Sequence, residues 1–291
     1  MKYSFIVTTM NRPNELEICI ESLLSQTEND FEIIVVDQSD NDLSEKYIKE
    51  KQRETSCIVY KRVKYKALSK ARNDALRLAR GDYFALVDDD AVYSLDYLEK
   101  CSSIIKKEKK VIISGRIRGN DIEESDFIDY SAASEGERLS FEKIRRMCPS
   151  AGLVFPISVI KECGLFDENL GLGAYFGAAE ETDLLLRALR KKYIVIHTKK
   201  AILKHPIQFQ MSCEKALSYA RGGGALVKKH LIYFHDFRIL TGGIRLFLVP
   251  FIKMLLFFLK KEKRLVEYNR LRGFFDGFIR YKIELMDGIE E

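Results

Sequence analysis

The chain has 291 residues, of which 46% are hydrophobic and 31% charged, with a formal net charge of +5. This length suits one large α/β domain with an appendage, and the composition excludes a disordered chain or a coiled coil. Six cysteines without CxxC spacing, and no secretory signal ahead of them, predict reduced thiols in a cytoplasmic setting.

The first half alternates strand and helix. Tyr3 to Val7 reads as a strand. Leu16, Cys19, Ile20, Leu23 and Leu24 then recur at helical spacing after Pro13, which a first helical turn tolerates. Further strands are predicted at Phe31–Val36, Ile58–Tyr60, Tyr83–Val87 and Val111–Ile113. The intervening helices are expected over Asp42–Glu54, over Ser69–Ala79, and around Leu95, Leu98, Ile104 and Ile105. Strands separated by helices at this interval predict a mostly parallel sheet with helices on both faces. The nearly continuous apolar runs are those of strands covered on both sides.

Polar residues gather at the carboxyl ends of these strands. The first ends in Thr8-Thr9-Met10-Asn11-Arg12, the second in Asp37, and the fourth in Asp88-Asp89-Asp90. In a parallel sheet such ends share one edge, where ligands bind. Three adjacent carboxylates raise one another's pKa unless a cation sits among them, so the triplet suits a divalent metal, Mg²⁺ or Mn²⁺; the plainer reading is a polar turn. Asp88 and Asp90, two residues apart, would point to the same side of an extended segment. Neither GxGxxG nor GxxxxGK[ST] occurs, so a dinucleotide Rossmann site and a P-loop are not supported.

The ordered set Ile6-Val7-Thr8-Thr9 with Arg12, Val35-Val36-Asp37, Ala71-Arg72-Asn73, Gly81-Asp82-Tyr83 and Asp88-Asp89-Asp90 resembles the nucleotide-sugar half of a family 2 glycosyltransferase of the GT-A fold. Ser150 to Phe155 resembles the segment lining that family's sugar and acceptor pocket. Glu180-Glu181-Thr182-Asp183 resembles its acidic helix start. The resemblance covers residues 1 to about 205 and implies a GT-A catalytic domain over 1–210, with a nucleotide-sugar-binding half at 1–118 and an acceptor half at 119–210.

It also implies roles. Asp37 would accept a hydrogen bond from the nucleotide base, with Thr8, Thr9 and Arg12 as its neighbours. Arg72 has the planar fork that suits a diphosphate. Asp88 and Asp90 would hold the metal, with Asp89 beside the nucleotide sugar. His205, before Pro206, stands where some relatives supply another metal or diphosphate ligand; a surface histidine is the alternative. An acceptor hydroxyl needs a carboxylate to take its proton. The family more often has Glu-Asp here with the second residue as base, which points to Glu181, with Glu180 as the close alternative and Asp183 orienting Arg187. The implied reaction inverts the anomeric carbon and uses a nucleotide-diphosphate sugar and a glycan or lipid-linked acceptor, as in surface polysaccharide synthesis. A nucleotidyltransferase and a noncatalytic binding module are the rivals; nucleic acid is not an expected partner.

Charge is unevenly spread. Asp121, Glu123, Glu124, Asp126, Asp129, Glu135 and Glu137 form an acidic stretch. Residues 199–229 carry seven lysines and arginines against Glu214 alone, which is a solvated helix face or a seat for an anion. The remainder, 211–291, reads as a helical extension. Gly222-Gly223-Gly224 predicts a flexible bend or a close backbone approach. Residues 244–259 are very apolar but shorter than the ~20 residues of a spanning helix. With Lys260, Lys261, Lys263 and Arg264 following, 244–264 reads as peripheral on the inner face of a membrane, or as a helix buried on the catalytic domain or in an oligomer.

Overall fold

The computed structural model describes residues 2–108, 110–119, 133–206 and 211–283. The acidic residues Asp121, Glu123, Glu124, Asp126 and Asp129 lie outside them.

Strands β1 (Tyr3–Thr9), β2 (Phe31–Asp37), β3 (Ile58–Arg62), β4 (Tyr83–Asp88), β5 (Val92–Tyr93), β6 (Val111–Arg118), β7 (Leu153–Pro156) and β8 (Ile194–Lys204) form one sheet in the order β3-β2-β1-β4-β7-β6-β8-β5. The helices are α1 (Pro13–Leu24), α2 (Leu43–Glu54), α3 (Leu68–Leu78), α4 (Tyr97–Ile105), α5 (Phe141–Met147), α6 (Ser158–Cys163), α7 (Glu180–Arg190), α8 (Cys213–Lys228), α9 (Ile239–Leu256) and α10 (Lys261–Arg280). Pairing is parallel from β3 through β4 and between β6 and β8; β7 runs antiparallel to both β4 and β6. The parallel strands β1 to β4 are joined through α1, α2 and α3, as parallel crossovers require.

Every residue of β1 and β2 is buried, which is why their apolar runs are nearly continuous. Their polar members pair with each other. Ser4 Oγ donates to Glu32 Oε1 at 2.7 Å, and the same two side chains accept the backbone N–H groups of Gly81 and Arg80. A Cβ at Gly81 would stand 2.7 Å from Ser4 Oγ, so glycine lets the chain enter β4 at this depth. Phe84 of β4 and Phe155 of β7 stack at 5.0 Å with rings 6° apart, across the antiparallel join.

The chain divides into two compact units. The first comprises Met1–Lys66, Lys70–Gly164 and Leu185–Ile207; the second comprises Ala67–Ser69, Leu165–Leu184 and Gln208–Glu291. The first holds the whole sheet. In the second, the segment ahead of α7 groups with the C-terminal helices.

The triple glycine makes a close approach within an unbroken helix, not a flexible bend. A Cβ at Gly222 would meet Ala178 O at 2.4 Å, and one at Gly224 would meet Phe274 O at 2.1 Å. From α10, a Cβ added at Gly277 would likewise collide with Arg221 O. Helix α8 accepts the helix-propensity cost of glycine because backbones pack where side chains would otherwise stand. The apolar stretch forms α9, 18 residues of mean hydropathy 1.8, of which 22% is buried within the chain itself.

Candidate active site

In the first unit, register brings the strand ends to one edge. Thr8 pairs with Asp88 and Thr9 with Asp37. Asp37 is fully buried: its Oδ1 accepts the Ser39 N–H at 2.8 Å and its Oδ2 accepts the Tyr60 hydroxyl at 2.7 Å. A cleft of about 530 Å³ opens at the ends of β2 and β3, lined by Gln38, Ser39, Asp40, Arg62, Val63 and Lys64. That volume lies within the range of small-molecule sites.

The triplet is a turn. Asp88 closes β4, and Ala91 N–H donates to Asp88 O, so Asp89 and Asp90 leave the strand instead of continuing it. The expected two-residue alternation therefore does not operate, and the turn brings the carboxylates to a common set of cations. Arg12 Nη1 donates to Asp90 Oδ2 at 2.8 Å and Asp89 Oδ1 at 3.3 Å. Thr9 Oγ1 donates to Asp89 Oδ2 at 2.7 Å. Asp88 receives Arg72 Nη2 at 3.4 Å and the Ser150 hydroxyl at 3.2 Å. His205 Nε2 lies 3.1 Å from Asp90 Oδ1 and 3.6 Å from Asp88 Oδ2.

Titration follows these partners. Burial is the largest single influence on Asp88 and Asp90 and opposes their charge, but His205 together with Arg72 at Asp88, and with Arg12 at Asp90, outweighs it, and both carboxyls sit below the usual range. Asp89 is the reverse case: burial pushes it up to about 6 despite Thr9 and Arg12. Burial favours a neutral His205, yet the two carboxylates prevail and raise it to about 10.

The side chains suit a divalent cation in chemistry. Two carboxylates and an imidazole nitrogen are ligands that Mg²⁺ and Mn²⁺ accept, and His205 Nδ1, 2.8 Å from Pro206 O, is oriented so that Nε2 faces the acids. Among the described residues no three His, Cys, Asp or Glu side chains already surround one metal-sized point. In this arrangement the imidazolium supplies the countercharge. Arg72 is 1% exposed and directed at Asp88, so its charge adds to that of His205 in holding the carboxylate low.

In the second unit, Ala179 takes a positive φ of 77° immediately before α7, an uncommon backbone for a residue with a side chain. Glu180 and Glu181 follow at the helix start; Glu180 is buried and Glu181 partly exposed. Gly171 borders Glu180, since a Cβ there would lie 3.1 Å from its Oε2. Asp183 is fully buried. Its Oδ2 accepts Lys229 Nζ at 3.0 Å, and its Oδ1 lies 3.0 Å from His230 Nε2. Lys229 Nζ also donates to Asp167 Oδ2 at 2.6 Å, which the Tyr281 hydroxyl shares. Lys229 and His230 open a π-helical turn, Lys229–Tyr233, of the kind often found at functional sites. In the first unit, Arg187 donates to the carbonyls of Cys163 and Gly164.

Sequence reasoning singled out neither Lys229 nor His230 as a partner of Asp183. Their signal is faint: they are the last two of the three polar residues Lys228-Lys229-His230 that follow the apolar Ala225-Leu226-Val227, with partners 46 to 62 positions away.

Comparison with known proteins bears on the family and the fold. An uncharacterized glycosyltransferase of Haemophilus influenzae is 24% identical over 230 residues, 75% of each chain. The UDP-Glc:alpha-D-GlcNAc-diphosphoundecaprenol beta-1,3-glucosyltransferase WfaP of Escherichia coli is 28% identical over 145 residues, half of this chain and 56% of that one. Residues 1–349 of S. aureus TarS, solved in complex with UDP-GlcNAc, share the GT-A type of fold with a TM-score of 0.61 and 16% identity, covering 99% of this chain and 95% of that one. The model of glycosyl transferase family 2 matches residues 4–157, more than half of the sequence, and the chain belongs to that family.

Proposed function

We propose that this glycosyltransferase moves a sugar from a nucleotide-diphosphate sugar to a hydroxyl of a glycan or lipid-linked acceptor, with inversion, in surface polysaccharide synthesis. The observation that carries the reading is the acidic turn Asp88-Asp89-Asp90 at the carboxyl edge of a parallel sheet, faced by Arg12, Arg72 and His205. The donor and acceptor in WfaP's name, and the UDP-GlcNAc bound to TarS, support a nucleotide sugar and a lipid-linked acceptor here.

Asp88, Asp90 and His205 would hold a divalent cation, which when bound supplies Lewis-acid neutralisation of the leaving diphosphate. The chain's own residues do the rest. Thr8, Asp37 and the cleft lined by Arg62 and Lys64 bind and orient the nucleotide; Thr9 and Arg12 hold Asp89. Arg72 keeps Asp88 ionised. Glu181 takes the acceptor hydroxyl proton as that oxygen bonds to the anomeric carbon and the bond to the diphosphate breaks, with Glu180 as the alternative base. A single displacement from the face opposite the leaving group inverts the centre. Asp183, closed in by Lys229 and His230, fixes the first turn of the helix that carries the base. We place the reaction on the cytoplasmic side, consistent with six unpaired cysteines.

Calorimetry with a panel of nucleotide diphosphates, with Mn²⁺ and with chelator, tests the donor site. Binding of one nucleotide that needs metal and is lost in Asp90→Ala is expected; no binding under any condition would sink the assignment. A Glu180→Gln/Glu181→Gln double variant should bind that nucleotide and lose transfer. Retained transfer would remove both glutamates from the role of base.

A further inference from the structure

Among the described residues, no element of its own unit covers the outward face of α9. Leu240, Ile244, Leu248, Phe251, Ile252 and Leu255 recur at three- and four-residue spacing, and all are exposed. At about 100° per residue they form one stripe roughly 120° wide, the width by which an amphipathic helix is normally buried. Here the helix is anchored by its other face. Gly243 packs at Val227, Leu246 packs at Gly223, and Phe247 meets Phe275 edge-on at 5.7 Å. The apolar surface continues past the helix into Phe258 and Leu259, which are 69% and 92% exposed.

We infer that α9 and the turn after it lie in the interface of an anionic bilayer. Charge commits the surface to that occupant. Residues 239–264 carry Arg245, Lys253, Lys260, Lys261, Lys263 and Arg264 against Glu262 alone. The exposed Lys260, Lys261 and Lys263 follow directly on the apolar tip, where lipid phosphates lie beside acyl chains. A second copy of this chain laid symmetrically on the same face would set these cations against themselves. Length and apolarity alone would let α9 cross a membrane, but its packed face and the interruptions at Arg245, Pro250 and Lys253 favour lying in the surface. The stripe lies on the helix side opposite its packing contacts, so insertion needs no unfolding.

The inference is independent of the donor-site reading, and its test requires no substrate. The purified full chain is floated with vesicles of phosphatidylglycerol and phosphatidylethanolamine, and in parallel with phosphatidylcholine vesicles. Partitioning at least tenfold stronger to the anionic vesicles is expected, falling at least tenfold in Leu248→Asp/Leu255→Asp and in Lys260→Glu/Lys261→Glu/Lys263→Glu. These residues are exposed, so both variants should keep the wild-type melting temperature; a variant that melts early is replaced by Ile244→Ser/Ile252→Ser for the same readout. Failure to float, equal binding to neutral vesicles, or binding unchanged by the substitutions would overturn the proposal. So would light scattering that shows the stripe holding two copies together in place of vesicle binding.

Discussion

Two charge clusters, one in each unit, use similar residues in opposite ways. At the end of β4, three aspartates face Arg12, Arg72 and His205, and Arg12, Asp88 and His205 keep part of their side chains in solvent. In the second unit Asp167 and Asp183 face Lys229, His230 and Tyr281, with side chains 0–6% exposed where ion pairs form. The open cluster sets three aspartates against three cations, one of them a histidine, and part of it stays in solvent, so a ligand can replace a partner. In the closed one each carboxylate is matched at short range and water is excluded. Charge at a site of exchange must stay accessible; charge that fixes a helix start can be sealed.

The sharpest way to break this contrast is Lys229→Met. It leaves two buried carboxylates without their ammonium, and the loss of one partner from a buried network costs about 3–5 kcal/mol. Urea denaturation should show that loss. A change within about 0.5 kcal/mol would mean the cluster is not closed.

Asp90→Asn tests the other side. Stability should move by no more than about 1 kcal/mol, as for solvent-accessible ion pairs. Sugar transfer should fall by about 100-fold or more, since a charge poised for the leaving diphosphate is worth several kcal/mol. Steady-state rates beside melts on the same preparation separate the two; full activity with lost stability would reverse the roles assigned to the clusters.

Gly222→Ala should come next, at about 1–3 kcal/mol, the range for overpacking. The added Cβ meets backbone atoms of Ala178, which cannot swing aside like the end of a flexible side chain. Because Ala178 precedes the strained Ala179 and Glu180, transfer should fall with stability. A neutral effect on both would show that this segment yields easily.

How far these features were legible depends on how local their causes are. Strands β1, β2 and β4 declare themselves because burial on both faces demands continuous apolar runs, and Gly81 and the Asp triplet mark their ends. Leu95, counted with the helix that follows, is instead exposed ahead of α4: helical spacing alone does not say where a helix begins. The short β7 has too few residues to show a period. Arg72 reads as a fork for a diphosphate, and only the fold shows it buried and turned to Asp88. Lys229 and His230 were hidden for the same reason, since their partners are set by tertiary packing. For α9 the residues show apolarity but not direction, and its outward stripe is visible only once the opposite face is seen to be occupied.

The smallest expected effect concerns His205. Asp88 and Asp90 raise its folded pKa from an ordinary 6.5 to about 10, so the stabilisation from its protonated form is complete below pH 6.5 and is lost as pH rises through 10. Asp88 and Asp90, held low, contribute in the opposite sense: their share is present above the usual carboxylate pKa and fades as pH falls through their lowered values. In chelator, the wild-type melting temperature should therefore decline between pH 6.5 and 10 by more than that of His205→Gln, which cannot take the proton. The two curves should converge at the alkaline end, where the wild-type ring is neutral as well. Parallel curves across that window would mean that His205 does not balance the acids, and the open cluster would need another cation to explain how three aspartates share one turn.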